Sequence, residues 1–171
     1  MNINDPLLKH SIQFGIALGV TLTVIELITL FLGIIVEPYM QLVNISIIVS
    51  MLIIALRKYR DQIQNGLLSF ADGFKVSFFI CLISGAIWAI YRLIEYSLVP
   101  ELIDEMLIIL EDAFMERHMP EDQIEAIMKL YEIGLTPPVL ALTTLIFNMG
   151  FGGALLSLAL ASAFKKEIKN T

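Results

Sequence analysis

Cysteine and histidine are almost missing from this 171-residue chain: Cys81, His10 and His118 are the whole supply. A single cysteine cannot close an intrachain disulfide, so it leaves the redox compartment open. Charge is scarce as well. Charged residues make up 16% of the chain against 57% hydrophobic residues, and mean hydropathy is +0.81, whereas soluble domains are roughly 45–50% apolar. The composition is therefore that of a membrane protein. A formal net charge of −6 excludes nucleic acid as a partner, because phosphate binding relies on clustered Lys and Arg.

Long apolar runs are what the sequence does have. "SIQFGIALGVTLTVIELITLFLGIIV" (11–36) carries one ionisable residue, Glu26, and exceeds the ~20 residues a spanning helix needs. It is too long for a signal-peptide apolar region and lacks a small-x-small cleavage site near its end, so it reads as a retained span. Glu37-Pro38 interrupts the run, and a second span over 39–56 makes a tight helical hairpin with the first. Residues 57–75 read as a polar connection, in which Ser69 and Asp72 form a capping box for the next helix. The third span runs from about Phe70 to Val99, its apolar part after Lys75. The fourth covers 137–164, with Thr136 as N-cap and Pro137 at the first helical position.

Between spans three and four, residues 100–136 show helical spacing of apolar positions (Leu102, Ile103, Met106, Leu107, Leu110, Phe114). Pro120 then opens a second short helix with Ile124, Ile127, Met128 and Tyr131 on one side, ending near Gly134. The expected fold is all-α: an integral-membrane four-helix bundle, one domain over 1–171, with an amphipathic helical hairpin in the outer loop. Lys9, Arg57, Lys58, Arg60, Lys75, Lys165, Lys166 and Lys169 fall on one side of the spans, and only Arg117 and Lys129 on the other. The positive-inside rule then makes both termini cytoplasmic and puts 100–136 on the outer face of a bacterial inner membrane. That loop holds ten acidic residues against two basic ones, a net of −8.

The segment "SGAIWAIYRLIEYSLVP" (84–100) carries Arg92 and Glu95 in an otherwise apolar span. Counted from the basic residue at each cytoplasmic end, Glu26 is 17 positions past Lys9, Arg92 is 17 past Lys75, and Asn148 is 17 before Lys165, each about 25 Å along a helix. Gln41 and Asn44 lie close to the same depth, and Glu95 falls one turn nearer the outer interface. At 100° per residue Gly15, Gly19, Glu26 and Gly33 share a stripe on span one. On span three Ser77, Ser84, Trp88, Tyr91 and Glu95 share one, and on span four Ala141, Asn148, Gly152 and Ala159. "GIALG" (15–19) is a G-x-x-x-G, and small residues at such spacing let helices approach closely. An unpaired charge in a span costs about 2.5–3.5 kcal/mol on insertion scales. The expectation is an inward polar layer with a Glu26–Arg92 ion pair, assisted by Asn148 and Glu95.

His10 and His118 fall on opposite sides of the membrane, which rules out a shared metal site or relay. The acidic loop lacks the spacing of a compact calcium loop, and the apolar parts of the spans (11–36, 39–56, 75–99 and 137–164) contain no Asp or His and no Ser-Lys constellation for hydrolysis. No enzyme, metal or cofactor is expected. The stretches "NGLLSFADGFK" (65–75), "VPE" (99–101) and "FKKEIKN" (164–170), with Gly66, Ser69, Phe70, Gly73, Phe74 and Lys75 carrying most of the likeness, make the chain resemble the bacterial membrane family catalogued as domain of unknown function 4199. That resemblance implies a multi-pass inner-membrane protein and supplies no catalytic or binding residue. Two functions stay open: a non-enzymatic module binding a protein or lipid partner, and a small homo-oligomeric transporter, channel or proton-coupled carrier using the polar layer, with G-x-x-x-G as its interface.

Overall fold

The computed structural model of the chain describes residues 5–33 and 38–166. Asp5 and Pro6 start the first helix, α1 (Pro6–Phe31): the Asp5 carboxylate accepts from the Leu7 N–H at 3.0 Å, and proline at the first position has no N–H to satisfy. The helix begins five residues earlier than expected and takes in His10. It closes at Leu32, whose N–H reaches the Ile28 carbonyl, and Gly33 adopts a left-handed φ of +65°. Gly33 is thus a terminator and not a member of the α1 stripe. Residues 34–37, including the expected break at Glu37, lie outside the described residues.

Helix α2 (Pro38–Lys58) continues as a π-helix over Tyr59–Ile63, so the polar connection expected from residue 57 starts later. Buried Tyr59 explains the extension. Its ring packs 5.4 Å from that of His10, carrying the buried face of α2 past the basic residues. Asn65 and Gly66, both at positive φ, turn the chain. Helix α3 (Phe70–Leu98) opens at the capping box: Ser69 Oγ accepts from the Asp72 N–H at 3.1 Å and donates to the Asp72 carboxylate at 2.8 Å. After α4 (Glu101–Glu116) and α5 (Glu121–Gly134), the fourth span is built from α6 (Pro137–Thr143), a π-helix over Thr144–Gly152 and α7 (Gly153–Phe164). An antiparallel bridge between Leu68 and Lys166, with N–H···O distances of 3.0 and 2.9 Å, ties the loop before α3 to the end of α7.

Among the described residues four stretches are long and apolar enough to cross a membrane: Pro6–Phe31, Tyr39–Ile63, Phe70–Leu98 and Pro137–Phe164. Exposed Ile16, Val20, Leu42, Ile45, Phe147, Phe151 and Leu155 suit a hydrocarbon surrounding. In lipid, burying such residues against protein brings little gain, so close packing must hold the helices together. The chain divides into two compact units, Met1–Trp88 with Thr144–Thr171, and Ala89–Thr143.

In the first unit α3 packs on α1 and on the fourth span through glycines. A Cβ on Gly15 would lie 2.7 Å from Ile83 Cβ, and one on Gly19 2.9 Å from Ile87 Cβ. G-x-x-x-G is therefore filled from within the chain. On the other contact a Cβ on Gly85 would lie 2.5 Å from Met149 Cβ, and one on Gly153 2.7 Å from Cys81 Cβ. Gly152 and Ala159, expected on this face, are not on it: Gly152 is half-buried, Ala159 is exposed, and a Cβ on Gly152 would meet only the Phe147 carbonyl oxygen at 3.5 Å. The π-helix is the reason. It takes an extra residue per turn, so a count at 100° per residue loses phase across it. Helix α2 packs on α1 and α7, and His10 Nε2 meets the Ala55 carbonyl oxygen at 2.9 Å.

The second unit contains the hairpin that the sequence leads one to expect. Acidic residues Glu101 and Asp104 in α4, and Glu121 and Asp122 in α5, sit in first turns, where they complement the helix dipole. His118, at φ +55°, donates its N–H to the Met115 carbonyl oxygen and closes α4. Leu102 and Ile124 are buried, and the Phe114 and Tyr131 rings lie 6.4 Å apart across the hairpin.

Candidate functional site

The C-terminal turns of α3, in the second unit, gather four polar side chains by spacing alone. Tyr91 and Glu95 are four residues apart, as are Arg92 and Tyr96, while Arg92 and Glu95 are three apart, so all of them meet on one helix surface. Glu95 Oε1 accepts from the Tyr91 hydroxyl at 2.6 Å, and Arg92 Nη1 lies 3.5 Å from Glu95 Oε2. Arg92 also donates to the Tyr96 hydroxyl, with its guanidinium carbon 5.3 Å from that ring's centroid. Glu95 is buried against protein. Oε1 has the tyrosine hydroxyl, while Oε2 has no hydrogen bond among the described residues and only the guanidinium as a counter-charge.

The remaining members of the expected polar layer are distributed as follows. Glu26 is buried on the α1 seam of the first unit with Ser11, Gly15, Leu18, Gly19 and Leu22, and its carbonyl accepts from the Thr29 hydroxyl at 2.8 Å. Asn44 is half-buried, and among the described residues its Oδ1 has no hydrogen-bond partner. Gln41 is exposed, so it takes no part in an inward layer. The side chain of Asn148 lies outside the described residues. Among the described residues no three His, Cys, Asp or Glu side chains are grouped to hold a metal ion.

The hairpin offers a second kind of site. Between α4 and α5 lies a cleft of about 440 Å³ with Met115, Ile124 and Met128 as its apolar lining and Glu111, Glu121 and Glu132 around it. Lys129 Nζ lies 2.8 Å from Glu125 Oε1. This hydrogen bond holds the Glu125 carboxyl below its ordinary range and raises Lys129. A polarizable methionine lining under an acidic rim can accept an apolar side chain flanked by positive charge.

A family model described as "Protein of unknown function (DUF4199)" matches residues 13–166. The chain belongs to this family. No curated protein and no solved structure matches it. Glu26, the Arg92–Glu95 pair and the hairpin cleft all lie inside the DUF4199 region, whereas His10 precedes it. Sequence reasoning missed Tyr96, Gly85 and Gly153 as contact residues. The four-residue step from Arg92 to Tyr96 could have revealed the first, while the glycines had no signal apart from their partners across the helix contact.

Proposed function

We propose that this protein is a non-enzymatic membrane interaction module whose acidic hairpin, α4 and α5, receives a protein partner. The methionine-lined cleft rimmed by glutamates supports the reading, because it offers apolar anchoring and charge selection in one place. In this reading the four spans form a bundle in a bacterial inner membrane with both termini cytoplasmic and the hairpin outside, as the distribution of Lys and Arg suggests. A photo-crosslinking residue at Met128 should give a discrete protein adduct in cells. The adduct should disappear when Ile124→Asp spoils the cleft. Absence of any adduct at Met128, with the protein inserted and folded, sinks the proposal.

The burial of Glu26 favours a second reading, a small oligomeric transporter or proton-coupled carrier in which Glu26 pairs with Arg92, assisted by Asn148 and Glu95. Its oligomer would need a face other than Gly15 and Gly19, which Ile83 and Ile87 occupy. Flux in proteoliposomes that is lost in Glu26→Gln supports this reading. If Glu26→Ala and Arg92→Ala each abolish accumulation and the double variant restores it, the ion pair stands; additive losses count against it.

A further inference from the structure

The end of the first unit where α2 and α7 terminate concentrates positive charge. Arg57, Arg60 and Lys166 all lie within electrostatic range of one carboxylate, Asp61. Arg60 occupies both of its oxygens, with Nε 2.7 Å from Oδ1 and Nη2 3.2 Å from Oδ2. Among the described residues neither Arg57 nor Lys166 has a carboxylate within ion-pair distance. Each is nevertheless anchored, Arg57 through its side chain and Lys166 through its backbone. The Arg57 guanidinium lies 5.7 Å from the Phe164 ring centroid, and the Lys166 backbone is pinned by the two-bond bridge to Leu68. Ordering these positions in advance lowers the entropy cost of gripping an anion between them.

The surroundings decide what kind of anion fits. Ile54, Ile63, Leu67 and Phe70 of the same unit expose apolar side chains, and Ile54, Ile63 and Phe70 belong to spans. A ligand here has two cations and exposed apolar residues neighbouring them in the chain, Ile54 one turn before Arg57 and Leu67 next to the Leu68 that holds Lys166. We propose that Arg57 and Lys166, at the shared end of α2 and α7, bind the phosphate headgroup of an anionic phospholipid whose acyl chains lie along the exposed apolar flank. Basic residues at the ends of spans attract such lipids with about 1 kcal/mol per side chain, and a guanidinium fixed over a ring presents its donors to phosphate in a defined plane. The site is independent of the hairpin and of its partner.

The test uses the full chain in mild detergent with equimolar phosphatidylglycerol and phosphatidylcholine, with bound lipid counted by native mass spectrometry. The wild type should retain phosphatidylglycerol preferentially. Arg57→Gln with Lys166→Gln should lower that retention roughly thirtyfold, and Asp61→Asn, which removes the competing carboxylate, should raise it. Lys9→Gln with Lys75→Gln takes as much charge from the same unit and should leave retention near the wild-type level. The proposal is overturned if the first double variant retains lipid like the wild type, if the Lys9/Lys75 control loses as much, or if an equal concentration of inorganic phosphate displaces the lipid. Should the first double variant fail to fold, Lys166→Gln alone, at an exposed side chain, reports in its place: unchanged retention in it is equally fatal.

Discussion

At the residue scale, the glycines of α3 and of the fourth span differ by what faces them. Gly153 faces Cys81 and Gly85 faces Met149 at distances no added Cβ could keep, while Gly152 faces only a carbonyl of its own helix at ordinary contact distance. Gly85→Ala and Gly153→Ala should therefore each lower stability by about 1–3 kcal/mol, and Gly152→Ala should stay within about 0.5 kcal/mol, measured by thermal unfolding in detergent. Equal losses at Gly152 and Gly153 would show the packing face to be wrongly drawn. On the hairpin, Glu125 gives a pH prediction with a fixed sign. Its folded carboxyl is depressed by Lys129, so the pair supports α5 above the unfolded carboxyl's range and loses that support as pH falls through the folded value. Carbon-13 titration should place the Glu125 carboxyl below its ordinary range, and Lys129→Met should return it toward that range; because both side chains are exposed, the effect on stability stays small. Glu95 shows what residue counting could not supply. Its depth could be read by counting from Lys75, but counting measures distance along an axis and says nothing about the tyrosine and arginine that enclose the carboxylate.

At the scale of elements, starts were easier to read than phase. Ser69 with Asp72 announces α3 because a capping hydroxyl must precede the N–H groups it satisfies, and that relation is local in sequence. Ser69→Ala should cost about 1 kcal/mol and speed hydrogen exchange in the first turn of α3 while leaving α5 unchanged; uniform acceleration in both would point to global loosening instead. Asp5-Pro6 carries the same local signal for α1, and the apolar run starting at residue 11 drew attention away from it. The two π-helices were not legible. Buried positions in the fourth span step from Thr144 to Met149 and then to Gly153, Ser157 and Ala161, and the first, five-residue step is what an extra residue per turn produces. Tertiary packing selects such a step, and nothing in "TLIFNMGFG" requires it.

For the molecule as a whole, the four spans and the hairpin follow from composition and spacing, because the length of an apolar run is set by membrane thickness. Which helix is most enclosed does not follow. Half of the α3 window is buried, against 28% in each of the first two spans and 24% in the fourth, although the four are similarly apolar. Stability should therefore be concentrated at α3: Ile83→Ala and Ile87→Ala, which remove the partners of Gly15 and Gly19, should each cost roughly 2–4 kcal/mol. Ile16→Ala, at an exposed position, should change stability by less than about 0.5 kcal/mol. Reconstituted unfolding in mixed micelles separates the two classes; similar losses at all three positions would contradict this arrangement.

The use of Gly15 and Gly19 inside the chain has a practical consequence for anyone assaying the first span in isolation. Cut away from Ile83 and Ile87, α1 displays a bare G-x-x-x-G, and a genetic reporter of self-association should score that fragment as a strong dimer. The intact chain, with the same motif already covered, should give no signal through that face, so the fragment would advertise an assembly that the whole protein does not make.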